Sequence, residues 1–169
     1  MQWLIALGLA SYSFFLINTN IARLPARIPT HFNAAGEANG WGSPDTLWII
    51  LLVQVLTCGL VLAIPLLGRR FPGSVNLGTR KLSGFTPAQQ ERIVPLFSDM
   101  MGYMSVLLGL LFSILLRETI QAASSLHPHL SPWWELGLFL AGIAVTLIYY
   151  LRRINAAADE KPPGDRAVM

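Results

Sequence analysis

Charge is what this chain has least of. Only 12% of its 169 residues are Asp, Glu, Lys or Arg, about half the ~25% usual for a soluble domain. Its one cysteine, Cys58, lies inside an apolar run, which excludes disulfide frameworks, zinc ribbons and CxxC redox sites. The sequence has no HExxH helix, no GxSxG elbow and no paired acidic motif deep in an apolar stretch. Metal-dependent proteolysis and nucleophilic catalysis therefore have no signature here, and the reading is a non-enzymatic protein without a cofactor. No internal repeat at a solenoid period is visible. The net charge of +3 is small. It is also one-sided along the chain, which points to membrane orientation and away from nucleic acid.

The chain is rich in long apolar runs. It is 53% hydrophobic with a mean hydropathy of +0.52, and its charges cluster in the connecting stretches. About 20 residues at 1.5 Å rise cross a 30 Å hydrocarbon core, and four runs qualify, at residues 1–20, 46–67, 97–118 and 133–151. The first has no basic n-region and no small-x-small cleavage site before Asn18, so it reads as a retained span and not a signal peptide. Thr86-Pro87-Ala88-Gln89 has the form of a capping box with proline at the first helical position. Pro95 removes a backbone donor and is expected to bend the chain. The expected fold is all-α: an integral bundle of four transmembrane helices over residues 1–154, with a short interfacial helix before the third. Trp133 and Trp134 at one end of the fourth span, and Tyr149 and Tyr150 at the other, are placed as aromatic belts. Residues 155–169 read as a disordered cytoplasmic tail.

Basic residues set the orientation. Arg23, Arg27 and Arg117 fall in the first and third connections. Nine others, from Arg69 to Arg166, fall in the middle connection and the tail. The positive-inside rule then places both termini in the cytoplasm of an inner-membrane protein. The basic middle connection reads as the orientation determinant, lying against anionic lipid headgroups at about 1 kcal/mol per cation.

The connection from Ile28 to Gly42 is chemically the richest, with a histidine, a carboxylate, two asparagines, two aromatics and three glycines. Leu24-Pro25 and Ile28-Pro29 favour extended or turn backbone before it, and Gly36, Gly40 and Gly42 permit close backbone approach. The expectation is an ordered outer loop in which His31, Phe32, Asn33, Gly36, Glu37 and Trp41 form a recognition surface for a peptide or an envelope partner. The alternative is a structural cap in which the same polar groups bond the loop backbone. His127-Pro128-His129 and Glu37 offer a weaker zinc-type donor set, on which the lesser alternative of a metal-dependent membrane enzyme rests. Asp99 and Glu135 sit near span ends, where a carboxylate is tolerated. Gln54, Thr57 and Ser105 are suited to interhelical hydrogen bonds, and Gly102, Gly109, Gly137 and Gly142 to close helix contact, which also fits a scaffold subunit of a transporter or envelope complex.

The run from Leu24 to Glu37, followed by Gly40-Trp41-Gly42-Ser43, resembles the signature of the bacterial membrane domain of unknown function 1648, which forms the N-terminal part of SdpI-type immunity proteins. The His31-Phe32-Asn33-x-x-Gly36 core carries the likeness. The Val75-Asn76-Leu77 turn and the capped helix are similar to the same family, extending it over roughly residues 1–120. Asn39 stands where the family commonly has Asp, and a lysine common near Pro44 is missing. The resemblance implies a small inner-membrane protein with an outward His31 loop. The immunity role is not carried over with it.

Overall fold

The computed structural model describes residues 1–77, 80–125 and 133–159. Four helices dominate it: α1 (Gln2–Asn20), α2 (Thr46–Arg70), α3 (Pro87–Ala123) and α4 (Trp133–Asp159). All four are long and apolar enough to cross a membrane. In hydrocarbon a helix satisfies its own backbone groups, so long uncharged runs adopt that form. The architecture is an all-α bundle of a multi-pass membrane protein.

α3 is the central column and packs against α1, α2 and α4. Small residues allow this closeness. A Cβ on Gly102 would lie 3.0 Å from the Gln2 side chain, one on Gly109 3.2 Å from Leu9, and one on Gly142 3.1 Å from Leu107. Gly137 has open space where its side chain would be, so three of the four expected glycine contacts form.

Midway along the bundle a polar ladder joins α1, α2 and α3. The hydroxyls of Ser13 and Ser113 are 3.0 Å apart. Gln54 Nε2 donates to the Gly109 carbonyl at 3.1 Å and to Ser113 Oγ at 3.2 Å. Cys58 Sγ donates to the Ser105 carbonyl at 3.4 Å, and Ser105 Oγ to the Cys58 carbonyl at 3.2 Å. Thr57 makes no such bond among the described residues.

Apolar clusters close the two ends. Ile17, Ile28, Leu47, Leu116 and Ile120 form one. Val75, Leu77, Leu82, Phe85, Ile93, Phe97, Met100, Tyr150 and Ile154 form the other. Tyr150, expected in an aromatic belt, is buried in this second cluster beside Tyr103, while Tyr149 stays exposed under Arg153. Trp134 is exposed at the far end of α4.

Three local expectations change. The capped segment and the third span form one helix of 37 residues, continuous through Pro95. The capping box itself is present, with Thr86 and Gln89 bonded reciprocally. α4 runs to Asp159, so residues 155–159 are helical, and the rest of the expected tail lies outside the described residues. Both connections around α2 carry short antiparallel hairpins: β1 (Ile28–Phe32) with β2 (Ala38–Gly42), and β3 (Asn76–Leu77) with β4 (Arg80–Lys81).

Candidate functional site

The expected outer loop is the β1–β2 hairpin, seated on the end of the bundle where α1 finishes and α2 begins. Ile28 and Pro29 are fully buried there, and β1 packs against α3. Burying an Ile side chain is worth about 2 kcal/mol, so β1 is anchored at one end and free at the other.

Asn33 builds the turn. Its Oδ1 accepts from the backbone amides of Ala35 (2.9 Å) and Glu37 (3.0 Å), and its Nδ2 donates to Glu37 Oε2 at 2.9 Å. The Asn33 amide donates to the Glu37 carbonyl and the Gly36 amide to the Asn33 carbonyl, each at 2.9 Å. Gly36 sits at φ 84°. This is a three-residue connection with glycine in the left-handed position, a common hairpin closure. Asn33 and Gly36 are therefore architectural.

His31 and Asn39 face each other across the strands, hydrogen bonded through Nδ1 and Oδ1. With a carbonyl oxygen opposite, Nδ1–H is the donor of that bond, which leaves Nε2 turned away from Asn39. His31 pairs in register with Gly40, where an added Cβ would come 2.8 Å from His31 Cβ. A Cβ on Gly42 would come 2.9 Å from Thr30. Both glycines are thus demanded by strand contact.

His31, Asn33, Glu37 and Asn39 are all exposed, Trp41 is 47% exposed, and Phe32 is half-buried. The six residues singled out from the sequence do come together on one hairpin. Asn39, marked in the sequence only as a departure from the family pattern, joins them as the partner of His31. Its signal was present, because His31 and Asn39 are equidistant from the turn residue Ala35.

The model of a family described as a domain of unknown function, DUF1648, matches residues 5–57. This stretch, about a third of the chain, is similar to that domain. It spans α1 from Ile5, the hairpin and α2 as far as Thr57. It is shorter than the expected 1–120, because Val75-Asn76-Leu77 and α3 lie beyond the match. No curated protein and no solved structure matches the chain.

The matched segment thus holds the hairpin together with the Ser13 and Gln54 rungs of the ladder. Of the expected zinc-type donor set, Glu37 lies on the hairpin, and His127 and His129 lie outside the described residues. Among the described residues no group of three or more His, Cys, Asp or Glu side chains converges. Asp99 is exposed near the opposite end and accepts from Gln2 Nε2 at 3.4 Å. Glu135 is half-buried in the first turn of α4.

Proposed function

We propose that the β1–β2 hairpin is the recognition element of a non-enzymatic inner-membrane protein, and that it binds or senses an extracytoplasmic peptide or envelope partner. One observation carries this reading. A connection between two membrane helices needs few residues, yet this one folds into a hairpin that holds exposed polar and aromatic groups on a fixed backbone. A preorganised surface loses less entropy on binding. Asn33 and Gly36 supply the rigidity. The surface left to a ligand is His31 Nε2, the Glu37 carboxylate, and the rings of Phe32 and Trp41. The charge pattern supports an outward hairpin with both termini cytoplasmic.

The test is photocrosslinking in intact membranes from a reactive residue at Ala34, an exposed tip position. The reading expects an adduct with an exported peptide or envelope protein, lost in His31→Ala and Glu37→Ala variants that still reach the membrane at normal levels. An adduct that persists in both variants, or that contains only one stoichiometric integral partner, sinks it in favour of a scaffold subunit.

A further inference from the structure

The end of the bundle opposite the β1–β2 hairpin carries a chemistry of its own. Of the described residues at that end, Arg69, Arg70, Arg80, Lys81, Arg92, Arg152 and Arg153 are cationic, and Glu91, Asp99 and Asp159 are anionic. A plain orientation signal would need only the excess of cations. What stands out is how two of these charges are arranged with opposite sign.

A cleft of about 420 Å³ opens between the last turn of α2 and the first turns of α3, lined by Arg69, Leu82, Gln90, Glu91, Val94 and Pro95. Small-molecule sites fall in the same range, about 300–1,000 Å³. Arg69 and Glu91 are both exposed and face this one cleft, yet no salt bridge within 4 Å joins them. Gln90 is already committed through Nε2, which donates to the Phe85 carbonyl at 2.8 Å. Its side-chain oxygen is left as an acceptor. The floor is apolar, with Leu82 2% exposed.

The position of the cleft along the membrane normal matters as much. Glu91 precedes Phe97 by six residues, about 9 Å along a helix, and Phe97 belongs to the apolar cluster that closes this end. Val94 and Pro95, which also line the cleft, are only about 3–5 Å from Phe97, so the cleft runs through the headgroup layer, roughly 5–8 Å deep beyond the hydrocarbon core, with Glu91 at its outer edge. One turn below Arg69 on the same face of α2, Leu66 is 65% exposed and offers an apolar wall running back toward the hydrocarbon.

We propose that this cleft holds the headgroup of phosphatidylethanolamine. The Arg69 guanidinium takes the phosphate diester, Glu91 and the Gln90 side-chain oxygen take the primary ammonium, and the acyl chains run down past Leu66. The complement is specific in both directions. A headgroup that is only anionic, such as phosphatidylglycerol, meets the Glu91 carboxylate. A choline headgroup has no N–H to give Glu91 or Gln90. This site is separate from the hairpin and does not depend on its role.

The experiment uses the full chain in nanodiscs of phosphatidylcholine and phosphatidylglycerol, with phosphatidylethanolamine replacing the choline lipid, read by retained lipid in native mass spectrometry and by the thermal midpoint. The expected result is a persistent phosphatidylethanolamine adduct and a raised midpoint. Arg69→Gln and Glu91→Gln each weaken retention about fivefold, the size of an exposed charge pair, while Arg70→Gln leaves it unchanged. Glu91→Lys is expected to switch retention to phosphatidylglycerol, a gain that a misfolded variant cannot show. Equal retention of the N-methylated lipid, phosphatidylglycerol retention indifferent to Glu91, or equally tight binding of chain-free glycerophosphoethanolamine would each overturn the proposal.

Discussion

Asn33 shows how much one side chain can organise. It accepts from two backbone amides and donates to Glu37, so Asn33→Ala leaves two turn amides to water. The expected cost is about 1 kcal/mol of local stability, read as faster hydrogen exchange at Ala35 and Glu37 with α1 and α2 unaffected. Gly36→Ala forces a Cβ into φ 84° and is expected to cost a further 1–2 kcal/mol of the same kind. In the membrane interior the hub is Ser113, whose hydroxyl lies within bonding distance of Ser13, Gln54 and the Gly109 carbonyl. Gln54 is 1% exposed, and its Oε1 has no partner among the described residues. The Gly109 carbonyl fixes which way that amide points. Removing the hub and removing the amide therefore differ. Ser113→Ala is expected to destabilise by about 1 kcal/mol, whereas Gln54→Leu, which also deletes an unpaired carbonyl, stays within about 1 kcal/mol of wild type in either direction. Reversible unfolding in mixed micelles measures both.

The informative elements are the two hairpins and the first turns of α3. The α3 N-terminus was legible because a capping box is a local device, written in four consecutive residues. The strands were not. β1 contains Pro29 and β2 contains Gly40 and Gly42, residues that depress strand propensity, and the pairing depends on a turn closed by a side chain. The β3–β4 hairpin is held differently. A Cβ on Gly68 would come 2.7 Å from Val75 Cγ2, so the last turn of α2 presses directly on the hairpin's base. Gly68→Ala is expected to cost about 1–3 kcal/mol by overpacking. The double variant with Val75→Ala recovers part of that loss, since neighbours couple. Thermal midpoints of the four proteins complete the cycle.

At the scale of the whole molecule, α3 holds the bundle together and α4 packs principally on α3. Loss of α3 contacts is therefore felt by every span, while changes on the outer face of α4 are felt by one. The topology is testable with single cysteines at Ala34 and Asn76, in a Cys58→Ser background that keeps a donor for the Ser105 carbonyl. Both positions are exposed and lie in successive connections. A membrane-impermeant maleimide is expected to label position 34 from the periplasmic side and position 76 only after the membrane is opened. The reverse pattern would invert the orientation, and with it the outward reading of the hairpin.

Composition and charge placement determined by themselves that there are four apolar spans, that α3 starts at Thr86-Pro87, and that the Ile28–Gly42 connection is chemically unusual. These are properties of short windows: a run long enough for the hydrocarbon, a cap, a density of polar and turn-forming residues. Tertiary structure alone decided that His31 faces Asn39, that Tyr150 turns inward to Tyr103, that Ser13, Gln54 and Ser113 meet, and that Arg69 and Glu91 share a cleft. Residues up to a hundred positions apart meet in these contacts. They depend on how helices rotate about their axes when α3 is buried among the others, and no local window of sequence encodes that rotation.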